Sequence, residues 1–300
     1  MNKKSQIFTV LAILILLLMF VSFEVYSSIR ERQAIKTRVS SMESFLNSIE
    51  DNLQRQMYIS GFRIIFLAES EITAHGAYIN VNDFFNEAFF NGTVNGASNQ
   101  TILYGVTYKD IIDSINKKAE KISVNVSLEN SSINISQEDP WNVKFTLTSD
   151  FVMKDKRNLA QWQKKQIIIA TIPINGFIDP IFIVKTRASV ARKINSTIYE
   201  GHYADGSDVS NLSVHFSKGM YAANSDAPSF LKRLEGNLNS DIYGIESFVD
   251  TTKLPSDLVD NSKSVVDHEY FSPVGNNGNS VAGMPAWFKL DDSHKTRYGV

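Results

Sequence analysis

From Gln6 to Phe23 the chain carries no charged residue, and its apolar side chains fall on every face of a helix rather than on one. Ile7, Phe8, Val10, Leu11 and the block from Ile13 to Val21 fill the run, with Val25 and Tyr26 at its far end. About 20 apolar residues cover the ~30 Å of hydrocarbon in a bilayer, so residues 1–28 predict a transmembrane helix. A cleaved secretory signal would have a shorter apolar core and end in a small-x-small site. Here the run passes into Phe23-Glu24-Val25-Tyr26, which predicts that the helix is retained.

The pattern then changes from apolar all round to one stripe. Ile35, Val39, Met42, Leu46, Ile49 and Leu53 recur at spacings of four and three, with Lys36, Arg38, Glu43, Asn47, Glu50 and Asp51 between them. That spacing marks an amphipathic helix with a coiled-coil-like seam. There is no proline before Pro140 and no glycine before Gly61, and these are the residues that most readily break a helix. The expectation is one long helix over 29–76, reaching ~70 Å beyond the membrane at 1.5 Å per residue. Its distal half is expected to pack on the chain's own head. The proximal half has fewer intramolecular partners and suits self-association.

Beyond it, residues 77–189 predict a helix plus an antiparallel sheet. Ile111, Ile112 and Ile115 share a face of a helix over Tyr108 to Glu120. Ile122, Val124, Val126 and Leu128 alternate with polar residues, and Ile133 and Ile135 continue the alternation across an expected turn at Glu129 to Ser132. Val143, Phe145, Leu147, Phe151 and Met153 form one face of the clearest strand. Ile167 to Ile172 and Ile178 to Val184 are read as further strands. The fold class expected is therefore α+β: four or more antiparallel strands, one face covered by helix. Residues 190–300 predict a loop-rich β extension, with polar loops at Ala204 to Asp208 and Gly275 to Asn279. The chain stops just past Tyr298-Gly299 without a polar tail, as a truncated sequence would.

Composition narrows the function classes. The hydrophobic fraction is 43% and the charged fraction 21%, values of a folded chain. A net charge of −2 supplies no basic field, which argues against nucleic acid as a partner. The absence of cysteine removes disulfides, thiolate metal sites and cysteine nucleophiles. Nucleotide-binding, zinc-protease and serine-hydrolase motifs are missing, so no catalytic residues and no cofactor are expected. Asp267-His268-Glu269, Asp291-Asp292-Ser293-His294 and Asp205 with Asp208 are the candidate metal clusters, and solvated loop is the expectation for each; the first places unlike ligands on opposite faces if it is a strand, and in the second Asp292 and His294 could share a face. The expected metal set is none. Seven Asn-x-Ser/Thr sequons begin at Asn91, Asn99, Asn125, Asn130, Asn134, Asn195 and Asn211, all past the apolar run. They are candidate glycosylation acceptors on an outer surface.

Lys4-Ser5-Gln6, opening an unbroken apolar helix, resembles the signal of archaeal type IV pilin-like proteins. Asp179-Pro180-Ile181-Phe182, the segment Tyr243 to Phe248 and Trp287 to Asp291 are similar to segments of large archaeal pilin-like surface proteins. The resemblance implies that a prepilin peptidase cuts between Ser5 and Gln6 and that the helix stays on the mature chain as a filament core. The acidic residue usual a few positions into bacterial pilin helices is absent: Val10 stands there, with Thr9 nearby. The expected function is an extracytoplasmic structural subunit, pilin-like or pseudopilin-like, for filament assembly or cell-surface adhesion. The alternative is a signal-anchored binding or sensor ectodomain that does not polymerise. Expected partners are membrane lipid, copies of the chain or other pilin-like subunits through the N-terminal helix, and a prepilin peptidase. The expected topology is single-pass in the cell membrane, with Lys3 and Lys4 inside and the C-terminal part outside; Arg30, Arg32, Lys36 and Arg38 blur the charge rule, but long domains translocate regardless.

Overall fold

The computed structural model describes residues 3–98 and 101–300, with side chains from Ile7 onward. The fold is α+β. Helix α1 (Lys3–His75) runs unbroken for 73 residues. It is followed by α2 (Val81–Asn86), a π-helical turn over Glu87–Asn91, the short ladder of β1 (Thr93–Val94) with β2 (Ala97–Ser98), and α3 (Tyr108–Glu120). Three long strands come next: β3 (Val124–Asp139), β4 (Asn142–Asp155) and β5 (Gln161–Pro173), hydrogen-bonded in that order. Short elements complete the chain: α4 (Pro180–Lys185), α5 (Ser210–Ser217), β6 (Ala222–Ala223), α6 (Phe230–Leu234), β7 (Ile245–Glu246), α7 (Asp267–Phe271), β8 (Asn279–Ser280), β9 (Lys289–Leu290) and α8 (Asp292–Tyr298). β6 pairs with β7 and β8 with β9, both antiparallel.

The chain divides into two compact units. One comprises residues 1–52, 112–130 and 149–166. Within it, Met42, Leu46 and Ile49 of α1 are buried, as are Ile115 and Ala119 of α3 and Val124, Val126, Leu128, Phe151 and Met153 of the strands. Arg38 of α1 ties down the end of β4: its Nε donates to Asp155 Oδ1 at 2.5 Å and its Nη2 to the Ser123 carbonyl at 2.8 Å. Further toward the N-terminus the same stripe is uncovered, with Ile35 and Val39 exposed.

The other unit comprises 53–111, 131–148 and 167–300. Here Leu53, Met57, Ile64, Ile65, Ala68 and Ile72 of α1 are buried. At Gly61 the helix lies so close to the strands that a Cβ would sit 2.3 Å from Ile172 Cδ1 and 3.2 Å from Phe145 Cγ. Phe85 and Phe89 pack on Phe145 with ring centroids 5.6 and 6.4 Å apart.

Helix α3 and the apolar face of β4 follow the periodicity of the sequence. Three expectations are corrected. The segment Ile178 to Val184 is helical, not a strand: Asp179 accepts a hydrogen bond from the Ile181 N–H, and Pro180 starts the first turn of α4, the combination that nucleates a helix. Glu129 to Ser132 is not a turn between strands but part of the continuous β3. The buried positions switch from even numbers (Val124, Val126, Leu128) to odd (Ile133, Ile135), and Asn130 takes a left-handed φ of 50°. A one-residue phase slip of this kind is what a β-bulge produces. The main sheet has three strands rather than four or more.

Residues 190–300 are poor in regular structure, yet they are well cored. Tyr203, Leu212, Phe248, Val265, Val266, Phe288, Leu290 and Tyr298 form one buried cluster.

Candidate functional site

Two features stand apart from ordinary packing: an apolar surface at the start of α1, and a buried polar network near the C-terminus.

Along α1, every large apolar side chain from Ile7 to Ile29 is exposed, Phe8 at 76% and Leu11 at 53%. Exposure on all faces of a helix this apolar is stable only against lipid or other apolar helices. The helix is long and apolar enough to span a membrane. The expected processing pair lies at its start: Ser5 and Gln6 belong to α1, but their side chains lie outside the described residues. Among the sequons, Asn91, Asn125, Asn130, Asn134, Asn195 and Asn211 are exposed, and Asn99 lies outside the described residues. Two of the exposed amides already donate hydrogen bonds, Asn130 to Asp150 Oδ2 at 2.9 Å and Asn211 to the His202 carbonyl at 2.9 Å.

The polar network is assembled from short elements far apart in the sequence. Arg233 of α6 is completely buried. Its Nη1 donates to Asp179 Oδ2 at 2.5 Å and lies 3.0 Å from Asp267 Oδ2, and its Nη2 donates to the Ile245 carbonyl. Asp179 also accepts from the Tyr221 hydroxyl at 2.8 Å. Asp267 accepts from the Ser247 N–H at 3.1 Å and the His268 N–H at 2.7 Å. Burial opposes ionisation of Asp267, but Arg233 and the His268 contacts outweigh it and hold the carboxyl down at about 2. For Asp179 burial dominates, Asp267 adds to it, and the pKa is raised.

Glu246 of β7 is fully buried next to this cluster. Asn224 donates to its Oε2 at 2.5 Å, the Tyr298 hydroxyl to its Oε1 at 2.7 Å, and His294 Nε2 lies 3.2 Å from Oε2. Arg297 Nε is 3.1 Å from Oε1, close enough for an ion pair, although its N–H is not aimed for a hydrogen bond. Burial raises the Glu246 pKa, but His294 and Asn224 more than offset this and hold it below the usual carboxylate range. His294 is fixed by the residue that starts its own helix. Asp291 caps α8 through Oδ1, accepting from the His294 N–H at 3.1 Å, and its Oδ2 meets His294 Nδ1 at 2.7 Å. Burial lowers the His294 pKa, but the bonds to Asp291 and Glu246 prevail and raise it to about 10.

His268 completes the group. One ligand atom each from Glu246, His268 and His294 lie within 4.8 Å of one another, and all three residues are buried. The His268 ring sits 5.7 Å from the His294 ring, and its buried Nδ1 makes no hydrogen bond, its contact with Asp267 Oδ1 being long at 3.5 Å.

The structure thus joins two segments expected to be solvated loop. Asp267-His268-Glu269 opens helix α7 rather than a strand, so its side chains do not alternate between two faces. His294 pairs with Asp291, not Asp292; Asp292 is exposed and accepts from Asn279 at 3.2 Å. Asp205 and Asp208 form an exposed turn linked by their backbones. Of the other histidines, His75 and His202 are exposed and His215 is a core residue whose pKa burial pushes down to about 4. Glu246 and Arg233 were not singled out from the sequence. No local pattern marks them, because their partners lie up to 54 residues away.

No protein-family model, curated protein or solved structure matches this chain.

Proposed function

We propose that the chain is an extracytoplasmic, membrane-anchored structural subunit, pilin-like or pseudopilin-like, which assembles with copies of itself or similar subunits through the N-terminal part of α1. The observation that carries this reading is the continuity of α1. One unbroken helix begins fully exposed and apolar at Ile7, keeps an exposed stripe at Ile35 and Val39, and has one stripe, from Met42 to Ile72, buried by other parts of the chain. A simple anchor needs only the first ~20 residues. The stripe outside the bilayer has the seam geometry for helix-to-helix contact, and burial of such side chains supplies the assembly energy without a cofactor. Six exposed sequons beyond the helix support an outward-facing head, with the N-terminus in the cytoplasm.

The chain has no native cysteine, so single cysteines report contacts without background. Ile35→Cys or Val39→Cys in native membranes should give disulfide-linked dimers on mild oxidation. Thr37→Cys, on the far side of the helix, should give far less. Equal cross-linking at all three, or none at Ile35 and Val39, would count against assembly through this seam and leave a signal-anchored surface protein.

A further inference from the structure

We propose that Glu246, His268 and His294 form a binding site for one divalent transition-metal ion of zinc-like character, and that Asp291 is its positioning residue. The donors come from β7, α7 and the first turn of α8, three short elements separated in sequence. The ligand type fits: two imidazoles and a carboxylate suit zinc, with a fourth position left for water. The spacing fits as well. At metal–ligand distances of about 2.0–2.1 Å, neighbouring ligand atoms of a tetrahedral site lie about 3.3 Å apart. His294 Nε2 and Glu246 Oε2 are 3.2 Å apart, and the whole triad lies within 4.8 Å.

The surroundings are arranged as metal-site surroundings usually are. A ligating histidine generally gives its other ring N–H to a carboxylate, which sets tautomer and orientation, and ligating carboxylates are themselves hydrogen-bonded. Asp291 Oδ2 holds His294 Nδ1 at 2.7 Å, leaving Nε2 facing Glu246. Tyr298 and Asn224 hold the Glu246 carboxylate at 2.7 and 2.5 Å. The backbone holds α7 just as closely, since a Cβ on Gly275 would lie 1.7 Å from the Glu269 carbonyl oxygen. The independent sign of a ligand is His268: a buried imidazole grouped with this carboxylate, whose Nδ1 makes no hydrogen bond and has only a long 3.5 Å contact with Asp267 Oδ1. A buried polar atom without a hydrogen bond is destabilising, and coordination would give the His268 ring a partner, any proton on a ligating nitrogen passing to solvent as the ion binds. With no cysteine in the chain, nitrogen and oxygen donors are the means by which a metal can staple residues 190–300, where regular structure is sparse.

The test uses the full chain in detergent micelles, stripped with a chelator and titrated with zinc chloride, with bound metal counted by elemental mass spectrometry. One zinc per chain is expected. His268→Gln leaves the Asp291–His294–Glu246 contacts in place and should weaken binding by more than the ~10–100-fold expected for Asp291→Asn. Near-ultraviolet circular dichroism without metal checks that each variant is folded. Cobalt(II) added to the unaltered chain needs no variant and should give the intense visible bands of a four-coordinate site. Absence of saturable one-to-one zinc binding, binding unchanged in His268→Gln, or the weak spectrum of hydrated cobalt would each overturn the site and leave a hydrogen-bonded histidine–carboxylate network only.

Discussion

The first 30 residues of α1 and residues 179–300 are opposite solutions to the placement of unlike side chains. In the first, apolar groups from Ile7 to Ile29 are left outside. In the second, Arg233, Asp179, Asp267 and Glu246 are placed fully inside. The first arrangement is stable because the surroundings are expected to be apolar, so each residue can be judged alone. The second is stable only because every charge has partners, so no residue can be judged alone. A substitution should therefore act through the membrane in one region and through the network in the other.

The largest effect is expected where a partner is removed from the network. Arg233→Met strands Asp179 and Asp267 as buried carboxylates and should cost ~3–5 kcal/mol, read as a fall in the melting temperature of the full chain in detergent. The triple change that also replaces both carboxylates should recover much of that loss. Next comes a charge in the apolar helix. Leu16→Arg should cost ~2.5–3.5 kcal/mol of membrane insertion and shift the protein from the pellet to the supernatant of an alkaline membrane wash, with the melting of the head unchanged. Gly61→Ala crowds Ile172 and Phe145 and should cost ~1–3 kcal/mol, the value depending on how far Ile172 Cδ1 can turn away.

A smaller, pH-dependent effect is expected at Arg38. Burial raises the Asp155 pKa, but Arg38 and the backbone N–H groups of Leu159 and Arg157 prevail and hold it below the ordinary value. A carboxyl with a depressed folded-state pKa stabilises above its unfolded pKa, ~3.9, and loses that contribution as pH falls through the lower value. Unaltered chain and Arg38→Ala should thus differ in melting temperature at neutral pH and converge below pH ~4. The smallest effect is at the surface: Asn134→Gln should change stability by less than ~0.5 kcal/mol, while removing any glycan mass carried there.

The same contrast explains how much of the molecule was legible in the sequence. The helix over 3–75, α3 and the face of β4 have local periods, so Met42, Leu46, Phe145 and Leu147 announce their burial from their neighbours alone. Asp179-Pro180 is also a local signal, a cap followed by proline, but the apolar run from Ile181 to Val184 has the composition of a strand. The bulge at Asn130 reads as a turn because both break the period of two. The triad of Glu246, His268 and His294 has no period: its members are 22 and 26 residues apart in sequence, and only the packing of Phe248, Phe288 and Tyr298 brings their elements together. The long-range pairings of a loop-rich region are set by shape and charge over many segments, which no window of sequence contains.

The central claim is that α1 acts as the assembling core of a processed, membrane-anchored subunit. Mass spectrometry of the N-terminus of protein purified from native membranes tests it most directly. The account predicts a chain that starts at Gln6 and keeps the whole apolar helix. A chain that starts at Met1 or Asn2, still embedded in the membrane, would contradict it.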